Sequence, residues 1–351
     1  MLNLFSQLKP AIGLDVSGSS LKLVELQKRG NTTSVKGYCD WELPKTLIVN
    51  DAVGDGKAFQ HLLQQAMAKP QFGRFDTKYA VVNLSESKSF VRVIQIPKMS
   101  DEEAERAIPF EAESFIPLPI DQVYLDWQKF GVEGDKMNIL IIASPKDYVD
   151  GYLSLLEGAG IKVAALEVES QSCCRAVIPK DSRETALVVD LDAYRSSLLM
   201  VEEGNLRFTS TIPIAGNNFT ESIARTLGVS ATKAEEIKKR VGIANTAEYP
   251  NVKTSLLPVL SNLTAEIKNI LKFHAEHSDK QVAKILLAGG SAKIKNLVEF
   301  LAPEFSDMSG LAIETANPWV NLKNLAQPPM NPVDSLSFTT AIGLAMRAIN
   351  L

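Results

Sequence analysis

What most constrains this chain is a unit written twice: an apolar strand ending near an aspartate, a polar turn, and an apolar return strand. The first copy, Ala11 to Leu26, reads Ala-Ile-Gly-Leu-Asp-Val-Ser-Gly-Ser-Ser-Leu-Lys-Leu-Val-Glu-Leu. Ile12, Leu14 and Val16, then Leu21, Leu23, Val24 and Leu26, flank the turn Ser17-Gly18-Ser19-Ser20, which is the pattern of a β-hairpin. Asp15 sits where the first strand ends. A tip built only of Ser and Gly lets backbone N–H groups approach an anion, and Lys22 adds a positive charge. Taken alone, the same pattern describes an ordinary turn. The second copy, Ala186 to Val201, reads Ala-Leu-Val-Val-Asp-Leu-Asp-Ala-Tyr-Arg-Ser-Ser-Leu-Leu-Met-Val and puts Asp190 in the place of Asp15, about half a chain further on. Two such units imply two similar lobes facing each other across a cleft, with both carboxylates directed into one site.

Composition narrows the class. A chain of 351 residues with 45% apolar and 22% charged residues is long enough for two or more domains of ordinary globular balance. Its net charge of −4 excludes a broadly basic nucleic-acid surface, so no nucleic-acid partner is expected. Cys39, Cys173 and Cys174 form an odd set, and the adjacent pair suits neither a mutual bridge nor a zinc site. A reducing compartment follows. Met1 to Pro10 lacks a cationic start with an apolar core, and no run approaches ~18 uninterrupted apolar residues. The expected location is therefore cytoplasmic, with the membrane touched only through partners.

Along the chain, the first lobe alternates strands with helices, including a helix over Lys57 to Lys69 and a buried strand over Tyr79 to Leu84. From Ser85 to about Lys162 a small α/β unit is expected as an insertion. In it, Ser100 and Glu103 form a capping box, Ala104, Ala107, Ile108 and Ala112 an apolar face, and Pro109 a kink. Lys146 to Ala159 reads as the unit's second helix. In the second lobe, Gly216 precedes the helix Phe219 to Leu227. Glu235 and Lys238 are i, i+3 neighbours on a helix, which suits either a surface ion pair or the wall of a ribose and purine slot. The strand Val282 to Ala288 runs into Gly289-Gly290-Ser291 and a helix from about Lys293. Glycines without Cβ atoms and a helix N-terminus favour an anionic ligand there. Phe338 to Ile349 reads as a closing helix that packs back on the first lobe.

These residues carry a resemblance. The paired Asp hairpins, the Ala-Glu-Glu-Ile-Lys segment, the Gly-Gly-Ser turn and the helix Ala341-Ile342-Gly343-Leu344-Ala345 resemble the superfamily of actin, heat-shock chaperones and FtsA, two-lobed ATP binders with an α/β, ribonuclease H-like fold. More narrowly, Asp15-Val16-Ser17 with Lys22, the block Ser100 to Pro119, Thr220, Ala234-Glu235 with Lys238, Leu263 with Glu266-Ile267, and Leu287 to Ala292 resemble the PilM family of the type IV pilus assembly platform. The resemblance implies a first actin-like lobe over 1–84 with 163–185 and 336–351, an FtsA-type inserted subdomain over 85–162 on the peptide-binding side, and a second lobe over 186–335 carrying the adenosine site.

The same resemblance implies ATP or ADP with Mg2+ between the lobes. Asp15 and Asp190 would hold the metal through waters. Ser17, Ser19, Ser20 and Lys22 would meet the phosphates with Gly216 nearby, while Glu235, Lys238, Gly289, Gly290 and Ser291 would bind adenosine. Asp192 stands where the family usually has glycine, and a carboxylate there opposes close phosphate approach, so hydrolysis is expected to be weak or absent. Glu169 and Gln171 are the candidates for orienting water. The implied partner is the N-terminal cytoplasmic peptide of the inner-membrane protein PilN, lying between the inserted unit and the first lobe, with cytoplasmic pilus motor ATPases as a further contact. Three alternatives stand beside this adaptor. A filament-forming FtsA-like protein would need an amphipathic C-terminus, and this chain ends at Ile349-Asn350-Leu351 after its closing helix. An ATPase of the same fold would need steady turnover. A type II secretion homologue would continue into a transmembrane helix.

Overall fold

The computed structural model describes residues 10–349, so the expectations for Met1 to Lys9 and for the last two residues lie outside it. The first hairpin is β1 (Ile12–Val16) and β2 (Ser20–Arg29), extended by β3 (Thr32–Glu42). A small ribbon, β4 (Ile48–Val49) and β5 (Ala52–Val53), leads into α1 (Gly56–Ala68), the short β6 (Phe72–Gly73) and β7 (Tyr79–Leu84). Next come β8 (Phe90–Pro97), α2 (Asp101–Glu113), β9 (Val123–Glu133), β10 (Lys136–Pro145), α3 (Lys146–Gly158), β11 (Lys162–Val168) and α4 (Glu169–Val177). The second hairpin is β12 (Thr185–Leu191) and β13 (Ser196–Glu202), extended by β14 (Asn205–Ile212). Behind it follow α5 (Gly216–Leu227), α6 (Ala231–Val241), α7 (Val252–His277), β15 (Val282–Ala288), α8 (Leu297–Glu304), β16 (Ala312–Thr315), α9 (Pro332–Ser335) and α10 (Thr339–Ala348).

The sequence repeat is a repeat of topology. One sheet has the order β11-β7-β1-β2-β3-β6 and the other β14-β13-β12-β15-β16. In each, three antiparallel strands are followed by two strands parallel to the first, so β1 corresponds to β12, β2 to β13, β3 to β14, β7 to β15 and β11 to β16. A third sheet, β8-β10-β9, stands apart. Its core joins Ile94, Ile96, Ile139 and Ile141 to Ala104, Ile108 and Ala112 of α2. The start of α2 is fixed as expected, with Glu103 N–H donating to Ser100 Oγ (3.3 Å) and Ser100 N–H donating to Glu103 Oε2 (2.9 Å). Pro109 lies within α2, which runs on to Glu113.

Packing reassigns one element. Helix α3 buries Val149, Tyr152 and Leu156 in one cluster with Ile12 and Leu14 of β1 and Phe59 and Leu63 of α1. It therefore covers the six-stranded sheet and does not belong to the small unit in which the 85–162 boundary placed it. On the opposite side, Ala11 just before β1 and Gly13 within it are small enough for α10 to lie directly on the strand: a Cβ at Gly13 would overlap the Ala341 carbonyl oxygen. The end of the chain thus closes on its beginning.

Candidate functional site

Both hairpin tips are held by local hydrogen bonds. In the first, Asp15 is opposite Lys22, Ser17 N–H donates to Ser20 O (3.0 Å), and Lys22 Nζ donates to Ser20 Oγ (2.6 Å). The Ser17 and Ser19 hydroxyls are 3.5 Å apart, and those of Ser17 and Ser20 3.3 Å. Asn83, at the end of β7, accepts from Val16 N–H (2.8 Å) and donates to Val16 O (3.1 Å), fixing the tip to the neighbouring strand. In the second hairpin Asp190 is opposite Ser197, and Asp192 N–H donates to Arg195 O (3.2 Å) across the turn.

The two aspartates, half a chain apart, share one electrostatic environment. Burial pushes the Asp15 carboxyl up to about 7, with Lys22 opposing and Asp192 adding to the rise. Burial, with the negative charges of Asp192, Glu169 and Asp15, pushes Asp190 well above the usual carboxylate range. Burial likewise carries Glu169 up to about 7, Arg195 opposing and Asp15 and Asp192 reinforcing. Lys22 and Arg195 compensate these buried acids only in part, because the Asp15 and Glu169 carboxyls still lie well above their ordinary values. Oxygen-only carboxylate donors of this kind suit a hard cation, which would add the missing compensation. The donor chemistry therefore fits water-bearing magnesium.

Elsewhere the residues divide. Gly216 is the first residue of α5, and its N–H is spent on Asp192 O (2.8 Å). A Cβ there would overlap Ser291 Oγ, which itself donates to Asp192 O (3.3 Å). Gly216 and Ser291 thus brace the second hairpin. Lys238 is neither a surface ion pair nor a free ligand donor. Its ammonium is buried and donates to Gly216 O (2.9 Å) and Thr220 Oγ1 (2.9 Å) while pairing with Glu235 Oε2 (2.7 Å). Burial holds it below the usual lysine value even so. Glu235 also accepts from Thr220 Oγ1 (2.5 Å) and reaches Lys239 at 3.5 Å, so it keeps one exposed edge. Gly289 takes φ +83°, and a Cβ there would come 2.5 Å from Asp190 Oδ1, so only glycine suits the position. The expected helix after Gly290 is a four-residue 3₁₀ turn ending at Lys293, and α8 begins only at Leu297. The turn therefore presents no α-helix N-terminus to an anion.

Several site residues escaped sequence reasoning. Asp51, Asn83, Ser85, Glu86, Tyr194, Arg195 and Lys293 all stand around the hairpins. Asn83 had a legible signal, an amide in an otherwise apolar buried strand. Lys293 is held below the usual lysine value by burial, with Asp334 and Asp40 opposing and Lys22 and Lys239 adding to the effect. Of the two candidates for orienting water, Glu169 faces Asp15 and Asp190, whereas Gln171 lines a cavity against the small sheet.

The raised acids set a pH dependence. Between their ordinary values near 4 and about 7 the folded chain binds more protons than the unfolded chain, so their contribution to stability falls as pH rises through that window and levels off above about 7. Urea midpoints in metal-free buffer are expected to be lower at pH 8 than at pH 5.5, with Asp15→Asn narrowing the gap. An equal gap in the variant would contradict the assignment.

A family model described as type IV pilus assembly protein PilM matches residues 13–349. Among solved structures, the "PilM-PilN type IV pilus biogenesis complex" superposes with a TM-score of 0.82 at 27% identity, covering 98% of this chain and 100% of that one. MreB5 of Spiroplasma citri bound to ADP superposes at 0.57 with 13% identity, covering 98% and 99%, a likeness of fold alone. Cell division protein FtsA of Neisseria meningitidis serogroup B is 25% identical over 322 residues, 79% of this chain and 75% of that protein. FtsA of Pseudomonas aeruginosa is 27% identical over 208 residues, 53% and 48%, so the chain matches about half the length of that relative.

Proposed function

Since the chain belongs to the family of type IV pilus assembly protein PilM and has its actin-like fold, we propose that it is a nucleotide-binding adaptor of the pilus assembly platform. The observation that carries this reading is the electrostatic convergence of Asp15 and Asp190, one from each topological repeat. Asp15 and Asp190 would hold Mg2+ through waters, Ser17, Ser19, Ser20 and Lys22 would face the phosphates, and Glu235 with Gly289 and Gly290 would border adenosine. The ion would supply charge neutralisation for the phosphates and the buried acids alike. Gly216, Ser291 and Lys238 keep a supporting part beneath that surface. Turnover is a second reading, favoured by one observation: Glu169, with a pKa near 7, stands beside both aspartates. Steady phosphate release would separate the two.

The partner we assign is the N-terminal cytoplasmic peptide of PilN, with motor ATPases as a further contact. The protein would work on the cytoplasmic side and reach the inner membrane through that peptide. No helix among the described residues is long and apolar enough to cross a membrane. Two neighbouring cavities support a groove along the small sheet. One lies between Tyr124 and Ile142 of that sheet and Leu84 and Leu166 of the first lobe. The other, of about 280 Å³, lies between Phe130 and Leu140 and Ile178 beyond α4, and Gln171 borders both. Phe130→Glu, which puts a charge on the apolar wall, is expected to weaken binding of the PilN peptide at least about tenfold by calorimetry. Undiminished affinity, or co-purification with a PilN lacking that segment, would remove the groove assignment.

A further inference from the structure

One side chain of the second hairpin crosses to the other half of the molecule. Arg195 forms an ion pair with Asp51 in the turn between β4 and β5, donates to Ser85 Oγ (2.9 Å) just beyond β7, and pairs with Glu169 Oε2 (3.2 Å) at the start of α4. The three partners come from three separated segments around the C-terminal end of the six-stranded sheet. The contact is well shielded, with the side chains of Arg195, Asp51 and Glu169 only 22%, 15% and 13% exposed. Burial works against ionisation of Asp51, yet Arg195 holds it below the usual carboxylate range. Next to it, the Tyr194 ring covers Gly18 at the tip of the first hairpin, where a Cβ would meet Tyr194 Cδ2 at 3.0 Å and Cε2 at 3.1 Å. Residues 194 and 195 therefore fasten the second hairpin to the first half at two points.

A guanidinium cannot shed its proton and presents a planar fork that suits carboxylate and phosphate equally well. Arg195 sits on the turn that follows Asp190, so a phosphate between the hairpins comes within the compass of its side chain. A cation arriving with that phosphate would take over the compensation of Glu169 that Arg195 supplies here. We propose that Arg195 is an exchangeable latch, clasping Asp51, Ser85 and Glu169 in the ligand-free chain and turning to the phosphates of a bound nucleoside di- or triphosphate. The ribbon from Ile48 to Val53 is then released and Glu169 freed. The exchange half of this proposal rests on the nucleotide reading above; the clasp itself does not.

Hydrogen exchange on the full chain separates the two. In ligand-free protein, Arg195→Gln is expected to speed amide exchange in 48–53 and 85–88 about tenfold, as loss of a shielded charge pair predicts. Asp51→Asn, which keeps shape and leaves Arg195 in place, should speed the same segments and tighten ADP binding, since the arginine is then less engaged. Mg-ADP added to wild-type protein should reproduce the release, with little further change in Arg195→Gln. Unchanged exchange in both ligand-free variants overturns the latch even if nucleotide binds normally. Absence of nucleotide binding by wild type overturns the exchange and the nucleotide reading while the ligand-free arm still decides the clasp. Protection of 48–53 on adding Mg-ADP overturns the exchange alone.

Discussion

Replacing Gly343 by alanine is expected to cost the fold about 3 kcal/mol or more, because the added Cβ has nowhere to go. Gly343 lies in α10 where that helix crosses α4, and a Cβ there would overlap the Ser172 carbonyl oxygen. The obstacle is backbone, so no rotamer relieves it, and the helices would have to separate. Separation is resisted from the other side, where Gly13 and Ala11 bring α10 against β1, and by α4 itself, whose Arg175 Nη1 donates to Gly343 O (3.1 Å) while pairing with buried Glu167. Gly151 in α3 is the control. A Cβ there meets nothing within 4 Å, so Gly151→Ala should gain roughly 0.5 to 1 kcal/mol from helix propensity alone. Denaturant unfolding of the pair reads both signs, and a Gly343→Ala protein as stable as wild type would mean that α10 does not pack as described.

The second large effect comes from a buried carboxyl. Asp190 is buried, only 6% exposed, with the charges of Asp192, Glu169 and Asp15 acting on it. Asp190→Asn keeps the shape and removes a carboxyl that folding must either protonate or hold charged among other acids, so ligand-free protein near neutral pH is expected to gain about 1 to 2 kcal/mol of stability. The exchange is paid in function, because the carboxylate needed to hold a cation through its waters is gone. Stabilisation together with lost binding would mark a carboxyl kept for its ligand at the expense of the fold. A destabilised variant would mean that Asp190 is compensated in the fold by itself.

What the sequence shows and hides follows from the range of the interaction involved. Hairpins, the capping box and the strand Val282–Ala288 depend on residues a few positions apart, and periodicity displays them. The twofold repeat was visible because each copy carries its own aspartate. Helix α3 falls by sequence within the 85–162 unit, because Val149, Tyr152 and Leu156 declare an apolar face but not what covers it. Lys238 looked exposed because an i, i+3 pair with Glu235 is usually on the surface, and only the packing of α5 on α6 buries it. The Gly289-Gly290 turn was legible as glycine, not as a 3₁₀ turn, since φ +83° at Gly289 redirects the chain before α8. Arg195 was unreadable: its partners lie 144, 110 and 26 residues away.

The most direct measurement is a titration of labelled ATP, with magnesium, into wild-type, Asp15→Ala and Asp190→Ala proteins. Saturable binding to wild type and a loss of about 100-fold in each variant are expected, in keeping with the roughly 2–5 kcal/mol lost when one partner of a buried charge interaction is removed. Equal affinity in all three proteins would contradict a shared site between the hairpins.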